Sequence, residues 1–231
     1  MRLVLSCEHG GNQVPKMYQY LFKGHDVLLN SHRGWDPGAL EISQRVAHHF
    51  KAPLTFSQVT RLLIELNRSE GHPQHFSVLS NLLDIDQKKS LAEKFYQPYR
   101  YQVMQSIRKS IQIDGFALHV SVHTFTPILD GIERQADIGI LFDPDRTPEV
   151  KIAEKWIGLL NGNADFQCKA NYPYLGVDDG FTTTLRAQFK AEEYAGLELE
   201  INQKLILMPD KKELVIEKII NTLGEVIAMN L

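Results

Sequence analysis

The chain opens with Arg2-Leu-Val-Leu-Ser-Cys7, a short apolar run that soon meets two glycines, Gly10 and Gly11. An apolar run of this length that ends at glycines is typical of a buried strand entering a loop. The glycines allow a sharp backbone turn, which leaves His9 exposed at the strand end. Ligands of open α/β sheets bind beyond the carboxyl ends of strands. We therefore consider two roles for His9, one in a functional site and one in a structural turn.

Strand-like segments alternate with helical segments from this first strand to the end of the chain. The alternation predicts an α/β fold with helices on both faces of a largely parallel or mixed sheet. Few periodic apolar residues occur between residues 162 and 184, so we expect an extended loop there. The other predicted strands cover residues 54–56, 61–66, 115–122, 136–142 and 194–201.

Proline residues mark the boundaries of the predicted helices. Pro37 suits the first position of a helix, where its missing N–H costs nothing. Pro98 interrupts a long helical pattern over residues 85–112, so we expect a kink or a break there. The last helix is expected to begin at Asp210, with Glu213 completing a capping box.

The composition is that of an ordinary globular protein. The chain has 231 residues, of which 43% are hydrophobic and 23% are charged, so it can bury the core of one domain spanning residues 1–231. A formal net charge of −3 argues against nucleic acid as a partner. Apolar runs stay well below the roughly 18 to 20 residues that cross a bilayer, so we expect no membrane partner and no export signal.

Cysteine and histidine contents limit the possible chemistry. Cys7 and Cys168 are the only cysteines, too few for a disulfide framework, so a reducing cytoplasm is the expected location. The chain has nine histidines, which makes imidazole and carboxylate the expected donors for any transition metal. A thiol nucleophile at Cys7 with a histidine base is an alternative, although a small buried thiol is the more common role.

Polar residues interrupt two later strands with the period of a strand. His119, Ser121 and His123 fall on one face. His123 lies nearest the rim, whereas His119 suits a partly buried supporting role. Glu198 and Glu200 also share one face. An exposed face would explain these two acids without function, whereas a buried face would require a metal, an arginine or a shared proton.

Asp36 precedes Pro37 at the start of a predicted helix, which is the position of an N-cap. Its carboxylate is also a candidate metal ligand, and the two roles compete for the same oxygens. Two histidines and a carboxylate from separate strand ends form an open site, the usual arrangement of catalytic zinc. A glutamate outside the ligand set can then take the proton of the bound water and pass it to the leaving amine.

Seven motifs spread over residues 6–203 resemble the N-formylglutamate amidohydrolase family. Each motif is short, but their number and order argue against chance agreement. The motifs are Ser6-Cys-Glu-His-Gly-Gly-Asn12 with Val14-Pro15, His32 with Gly34-Trp-Asp-Pro-Gly-Ala39, residues 57–68 ending in Glu-Leu-Asn-Arg68, Ser121-Val-His-Thr-Phe-Thr-Pro127, Arg134-Gln-Ala-Asp-Ile-Gly139, Asp179-Gly180 with Leu185-Arg186, and Tyr194-Ala-Gly-Leu-Glu-Leu-Glu-Ile-Asn-Gln203.

The resemblance implies a three-layer α/β/α sandwich with a mixed, largely parallel central sheet and a single zinc ion, as in zinc exopeptidases and muramoyl amidases. Asn12 stands where carboxypeptidase-like relatives carry a ligating glutamate. Muramoyl amidases instead take this carboxylate from a separate, later segment, and Asp36 is the residue that the resemblance to them suggests. Glu200 matches the catalytic glutamate better than Glu198, which stays an alternative. The zinc ligands that the resemblance implies are His9, Asp36 and His123.

The family reaction is hydrolysis of N-formyl-L-glutamate to formate and L-glutamate. A substrate with two carboxylates requires cationic anchors, and a planar guanidinium suits a carboxylate. Each arginine in the matching segments is equally explained as the partner of a surface salt bridge. Glu65 departs from the family pattern, which has aspartate there. The candidate substrate-binding residues are Arg61, Asn67, Arg68, Arg134 and Arg186.

The identity of the acyl group is the least determined part of this interpretation, because neither the fold nor the metal site fixes it. The nearest alternative is a zinc-dependent amidase that acts on another N-acyl amino acid or on a short peptide. A non-catalytic protein that binds a small ligand on the same scaffold is a further alternative.

Overall fold

The computed structural model describes residues 1–162 and 165–229, and within them six strands form one central sheet. The sheet order is β2-β1-β3-β8-β6-β7, and all neighbours are parallel except β6 and β8. This arrangement confirms the predicted mixed, largely parallel sheet. The strands, including a separate β4–β5 hairpin, are β1 (Arg2–Cys7), β2 (Leu54–Phe56), β3 (Ala117–Phe125), β4 (Ile128–Leu129), β5 (Ile132–Glu133), β6 (Ile138–Leu141), β7 (Cys168–Ala170) and β8 (Tyr194–Asn202).

Helices cover both faces of this sheet, which confirms the predicted three-layer α/β/α sandwich. Among the described residues, none of the helices has the length and apolar character needed to cross a membrane. The helices are α1 (Asp26–Leu29), α2 (Ala39–Phe50), α3 (Ile85–Leu91), α4 (Gln97–Asp114), α5 (Thr147–Asn161), α6 (Phe181–Arg186), α7 (Gln203–Ile206) and α8 (Pro209–Ile227), with 3₁₀ segments at Lys16–Phe22 and Ser80–Leu82 and a π-helical segment at Ala92–Tyr96.

Alternation along the strands divides the core into two layers. Leu5, Val120 and Leu197 point to one face and pack in the cluster that includes α2, α5 and α8. The opposite face carries Ala117 and Tyr194, which pack with α4 and α6. Towards the carboxyl ends of β1, β3 and β8 this second face becomes polar. The functional side chains therefore lie on the second face, at one edge of the sheet.

The strand predicted over residues 61–66 is wrong, because this segment forms turns. Its apolar residues reflect burial and not strand pairing. Leu63 and Ile64 are buried in the second core layer while the backbone around them makes no ladder. The turns bring Arg61, Glu65 and Asn67 out of an apolar segment towards the polar edge of the sheet.

Pro98 does not end the helix as a clean break. The helical backbone runs from α3 into α4, and the π-helical segment Ala92–Tyr96 lies directly before the first turn of α4, which contains Pro98. A π turn rearranges the hydrogen bonds at the point where proline cannot donate one. The predicted interruption therefore takes the form of a change in helical pitch.

Several predicted boundaries also differ from the structure. Helix α2 begins at Ala39 with Gly38 as its N-cap, so Pro37 lies before the helix. Helix α8 begins at Pro209, and its N-cap makes no side-chain hydrogen bond, so the predicted Asp210 capping box is wrong. The loop predicted over residues 162–184 contains β7 and part of α6, while residues 163 and 164 lie outside the described residues.

Candidate metal centre and substrate cavity

The ends of three neighbouring parallel strands bring the predicted site residues together. His9 follows β1 by two residues, His123 lies in β3, and Glu200 lies in β8. Strand register places His123 beside Glu200 and Ser121 beside Glu198. Since β1 pairs with β3 and β3 pairs with β8, these side chains meet at one edge of the sheet.

His9, Asp36 and His123 form a buried cluster of possible metal ligands, with donor atoms that all lie within 4.8 Å of one another. Asp36 Oδ2 is 3.2 Å from His9 Nδ1 and 3.0 Å from His123 Nδ1. The backbone N–H of Asp36 donates to the carbonyl oxygen of His9 at 2.9 Å, which holds the two loops together. Because Gly38 is the N-cap of α2, the interpretation of Asp36 as a helix cap is wrong.

Each histidine of the cluster has a carboxylate behind its other ring nitrogen. His9 Nε2 is 2.5 Å from Glu65 Oε1. His123 Nε2 is 2.9 Å from Ser121 Oγ and 3.3 Å from Glu8 Oε2. Both Nδ1 atoms are thereby directed towards Asp36. A carboxylate behind the second nitrogen is the usual device that fixes the ring orientation of a metal-binding histidine.

The electrostatics of the cluster favour a bound cation. Burial raises the pKa of Asp36, but the charge of His9 and the hydrogen bond to His123 outweigh burial and hold that pKa well below its ordinary value. Burial lowers the pKa of His123, but its contacts with Asp36 and Glu8 raise it well above the ordinary value. A proton and a metal ion compete for such nitrogens. Two imidazoles and a carboxylate are also a donor set that suits catalytic zinc, so these residues fit a metal ion.

Glu200 is a buried acid with an unsatisfied oxygen. Its residue is 5% exposed, and Oε2 has no hydrogen-bond partner among the described residues. Burial raises its pKa to about 8, with further contributions from the negative charges of Asp36 and Glu198, while the charge of His123 opposes the rise. Glu200 therefore lies beside the cluster with a pKa close to neutral pH.

Glu198 shares the buried face but is held by a partner. The hydroxyl of Thr182 in α6 donates to Glu198 Oε1 at 2.6 Å. The explanation of the two acids by an exposed sheet face is therefore wrong, because both lie on a buried face of β8. The difference between the two is that Thr182 holds one oxygen of Glu198, whereas the carboxylate of Glu200 includes a buried oxygen without a hydrogen-bond partner in the described part of the chain.

A cavity of about 360 Å³ opens above these residues. Eight of the ten predicted site residues line it, as do His32, Phe125 and Tyr174. Arg134 and Arg186 are the two predicted residues outside the lining. The eight are His9, Asp36, Arg61, Asn67, Arg68, His123, Glu198 and Glu200.

The polar side of the cavity is built from the turn segment that replaces the predicted strand. Arg61 Nε donates to Glu65 Oε2 at 2.7 Å, and its Nη1 is 3.5 Å from Asp36 Oδ1. Asn67 Oδ1 accepts a hydrogen bond from the backbone N–H of Phe181 at 2.8 Å. Arg68 donates to the backbone carbonyl of Asp179. These contacts fix Asn67 and Arg68 beside the start of α6 and Arg61 beside the donor cluster.

Arg186 does not reach the cavity and instead holds the core together. Its Nε lies 3.0 Å from Glu149 Oε1, and its Nη2 lies 3.0 Å from Glu149 Oε2. The two terminal nitrogens also donate to the carbonyl oxygens of Gly176 and Gly196. These contacts of Arg186 are buried, and they link α5, α6 and β8. Arg186 was predicted to contact the substrate, but its side chain lies outside the cavity lining and is held by Glu149.

Cys7 is fully buried and lies on the other face of β1. It alternates with Ser6 and Glu8, whose side chains hydrogen-bond on the polar face. Burial raises the pKa of the Cys7 thiol to about 12, and the negative charge of Glu8 adds to the rise. A protonated, enclosed thiol is a poor nucleophile, so the structure argues against Cys7 as the nucleophile of an amide hydrolysis.

Two acids that support the cluster were missed by the sequence analysis as site residues. Glu8 accepts hydrogen bonds from Tyr99 at 2.8 Å and Ser121 at 2.6 Å. Burial raises the pKa of Glu8, but its contacts with His123 and Ser121 leave it well below the ordinary value. The sequence did contain an indication for Glu8, because this acid directly precedes His9, a predicted metal ligand. Glu65 stood out only as a departure from the family pattern.

His119 has the supporting role that its strand position predicts. It lies between Ser6 Oγ, 2.8 Å from its Nε2, and the Tyr194 hydroxyl, 3.0 Å from its Nδ1. Burial lowers its pKa to about 4, so the ring is neutral near pH 7. His119 therefore completes a buried polar network below the cluster.

Comparisons with known proteins address the family and the fold of the chain. A family model described as N-formylglutamate amidohydrolase matches residues 1–207. A search of curated proteins found no match to the chain. Among solved structures, a gene product of Agrobacterium tumefaciens is similar, with 28% identity, coverage of 98% of this chain and 90% of that chain, and a TM-score of 0.84.

A second solved structure shares the fold at lower identity. It is an N-formylglutamate amidohydrolase from Ralstonia eutropha, with 16% identity, coverage of 97% of this chain and 94% of that chain, and a TM-score of 0.70. The family match spans all the predicted site residues that lie between His9 and Glu200. This chain belongs to the N-formylglutamate amidohydrolase family.

Proposed function

We propose that this protein is a zinc-dependent amidohydrolase that cleaves the N-acyl amide of a small acidic amino acid, converting N-formyl-L-glutamate to formate and L-glutamate. Family membership supports hydrolysis of an amide. The observation that carries the proposal is the His9-Asp36-His123 cluster with Glu200 beside it in one cavity. Residues 1–231 as one domain, and the cytoplasm as its location, are further parts of the proposal.

The metal in this proposal is held by His9, Asp36 and His123, because nitrogen and oxygen donors from separate segments suit zinc. When bound there, zinc supplies a Lewis acid for the amide carbonyl and lowers the pKa of a coordinated water. Glu65 and Glu8 keep the two imidazoles oriented through their other nitrogens. The geometry of the donor cluster thus depends on carboxylates that do not belong to it.

Glu200 is the proposed general base and acid. Its free Oε2 takes a proton from the attacking water and then delivers that proton to the nitrogen of the leaving amine. Both transfers use the same carboxylate, because Glu200 lies outside the donor cluster and is free to take a proton and to return it. Glu198 is the alternative, but its contact with Thr182 uses one of its oxygens.

Asn67, Arg68 and Arg61 are the proposed contacts for the acidic substrate. Arg68 and Arg61 supply positive charge at the cavity wall, and a guanidinium can bind a carboxylate with two parallel hydrogen bonds. The cavity volume of about 360 Å³ lies within the range of roughly 300 to 1,000 Å³ found for drug-sized ligands. This volume favours, as the second candidate function, hydrolysis of a larger N-acyl amino acid or a short peptide.

A substrate screen tests the proposed activity. N-formyl, N-acetyl and peptidyl derivatives of L-glutamate and L-aspartate are incubated with the protein in added zinc, and release of the free amino acid is measured. We expect turnover of N-formyl-L-glutamate that a chelator abolishes and zinc restores. Turnover that survives complete removal of metal would exclude the metal-dependent mechanism.

The ligand set is tested by elemental analysis. His9→Ala and His123→Ala are each expected to lose stoichiometric zinc, because each removes one of three donors. His25→Ala is a matched control, because it also removes one histidine, but from a position that does not line the cavity. Full retention of zinc in both ligand variants would overturn the assignment.

A further inference from the structure

Arg134 is a buried cation without a counter-ion. The residue is 8% exposed, and no acidic side chain in residues 1–162 and 165–229 forms an ion pair with it. Its Nη1 has no hydrogen-bond partner among those residues. Arg61 and Arg186, by contrast, are paired with Glu65 and Glu149. Burial of an unpaired charge is costly, so an anion is the expected missing partner.

Arg134 lies behind two aromatic rings of the cavity wall. Its guanidinium carbon is 5.4 Å from the centre of the Phe125 ring and 5.0 Å from that of Tyr174, and both rings line the cavity. The Arg134 backbone N–H donates to Pro127 O at 2.8 Å, which anchors the β4–β5 hairpin beside the cavity. The position of Arg134 is therefore fixed by its backbone and by stacking.

Arg134 also determines how the Tyr174 hydroxyl is used. Arg134 Nη2 donates to the Tyr174 hydroxyl oxygen at 2.9 Å. Because that oxygen accepts from a cation, its own hydrogen is available to donate elsewhere. A hydroxyl polarised in this way is also a stronger donor. Tyr174 lines the cavity and is 45% exposed, so a ligand in the cavity can reach this hydroxyl.

Side chains of both charges lie near the same end of the cavity. Burial lowers the pKa of His32, and the charges of Arg33, Arg134 and Arg61 lower it further. His32 lines the cavity together with Tyr174. Because Arg61 is paired with Glu65 and Asp36, Arg134 is a buried cation at this end that has no acidic partner among the described residues. Its uncompensated charge next to a hydroxyl that can donate suits an anion.

We propose that Tyr174 is a specificity-determining residue whose hydroxyl donates to one carboxylate of an acidic substrate, with Arg134 as its positioning residue and source of uncompensated positive charge. The inference rests on the proposed function, since it names which side chains distinguish an acidic N-acyl amino acid from a neutral one. Asn67 and Arg68 then remain available for the second carboxylate of a dicarboxylate.

The test compares Tyr174→Phe and Arg134→Gln with the unmodified protein on three substrates. These are N-formyl-L-glutamate, its γ-amide N-formyl-L-glutamine, and its α-amide N-formyl-L-isoglutamine. For N-formyl-L-glutamate, we expect each variant to lose about 10- to 100-fold in kcat/KM, the range for a lost hydrogen bond to a charged group. The loss should appear mainly in KM.

The two amides distinguish recognition from a structural effect. On the amide that lacks the recognised carboxylate, variants and unmodified protein should differ by less than about threefold, while the penalty persists on the other amide. Equal losses on all three substrates, or no loss on any, would overturn the inference. Tyr101→Phe is the matched control, because Tyr101 is an exposed residue of α4 that does not line the cavity.

A binding measurement separates this inference from the proposed function. Titration calorimetry with L-glutamate should show weaker binding to Tyr174→Phe than to the unmodified protein. Tyr174→Phe is a conservative change, so the inference can still be tested if Arg134→Gln fails to fold. If none of the three substrates is hydrolysed but L-glutamate affinity depends on Tyr174, the proposed function fails and the inference stands. If N-formyl-L-glutamate is hydrolysed and Tyr174→Phe changes neither KM nor affinity, only the inference fails.

Discussion

Glu200 and Glu198 are the same residue type on the same strand face, and their surroundings give them different chemistry. Thr182 donates to Glu198, whereas Glu200 Oε2 has no hydrogen-bond partner in the described residues. A hydrogen-bonded acid is held in place, and a free oxygen beside the cluster can exchange a proton with water. Replacement of each acid by its amide isolates this difference, because the amide keeps the shape and removes the proton transfer.

We expect Glu200→Gln to lower kcat by about 10² to 10⁴, the usual contribution of a general base or acid. Zinc content should not change, because Glu200 is outside the donor cluster. Glu198→Gln should cost clearly less. Steady-state kinetics on N-formyl-L-glutamate and elemental analysis measure both effects. Full activity of Glu200→Gln would contradict the assignment of Glu200, and a larger loss in Glu198→Gln would exchange the two roles.

The raised pKa of Glu200 predicts a pH dependence of stability in the metal-free protein. The pKa rises from an ordinary 4.5 to about 8 in the folded state. Below pH 4.5 both states are protonated, and between pH 4.5 and 8 only the unfolded chain ionises, so the free energy of unfolding falls. Glu200→Gln cannot ionise and should gain stability relative to the unmodified protein across this window, by on the order of a few kcal/mol.

Urea unfolding in the presence of a chelator, at pH 5 and at pH 8, measures this difference. Groups that do not interact with Glu200 contribute equally to both proteins, so the difference reports on Glu200 together with its interaction with His123. Glu198→Gln is the control for loss of a negative charge on the same strand. A difference in stability that stays constant from pH 5 to pH 8 would show that Glu200 does not titrate in this window.

Individual residues of the cluster could be predicted because strand alternation and motif position both point to them. His9 and His123 follow or end apolar runs, and Asp36 lies in a matching motif. Glu65 could not be assigned a role, because its contact with His9 spans 56 residues and depends on turns that the apolar pattern of residues 61–66 conceals. Tertiary contacts of this kind leave no local signal in one sequence.

At the scale of elements, long periodic helices and central strands follow from the sequence, whereas short connections do not. Strands β3 and β8 lie where their alternation predicts, because one face packs in the apolar layer while the other carries buried polar side chains. Residues 61–66 have the same apolar content but fold as turns, since they fill the second core layer instead of pairing with a strand. Composition alone does not separate these two ways of burying a segment.

The buried pair between Arg186 and Glu149 links three elements, and its loss should destabilise the fold. We expect Arg186→Met to lower the free energy of unfolding by about 3 kcal/mol, the lower end of the range for a broken buried pair. Buried Glu149 then keeps Arg146 as its remaining cationic partner, and the carbonyl groups of Gly176 and Gly196 lose a donor. Arg45→Met removes an exposed pair with Glu213 and should change stability by no more than about 1 kcal/mol. Urea unfolding compares the two variants.

Kinetics on the folded Arg186→Met protein then test its predicted substrate contact. Because the Arg186 guanidinium is occupied by Glu149 and two backbone carbonyls, KM for N-formyl-L-glutamate should stay close to that of the unmodified protein. Unchanged stability together with a raised KM would instead show that Arg186 binds the substrate.

At the scale of the whole molecule, the central sheet has an apolar core layer on one face and a buried polar network, which supports the cluster, on the other. On β1, Leu5 packs in the apolar layer with α2, and the buried Cys7 lies on the same face of the strand. Ser6 on β1 and Glu8 directly after it point to the polar network below the cluster. The two-residue period of a strand therefore assigns Cys7 to the core and Glu8 to the site, although they are neighbours in sequence. This assignment could be made from the sequence once the face of His123 is known.

The two cysteines therefore report on opening of the whole sheet. Burial raises the pKa of both Cys7 and Cys168 to about 12, so at pH 8 both thiols are protonated and enclosed. We expect a thiol reagent to label neither cysteine in the native protein, to leave the activity intact, and to label both in denaturant. Labelling without denaturant should occur only as fast as the sheet opens, and should slow in any condition that raises the free energy of unfolding.

Cys168→Ala is the control that assigns the signal, because it should leave one labelled thiol in denaturant. Rapid native labelling of Cys7 with parallel loss of activity would contradict its place in the core and favour the thiol nucleophile.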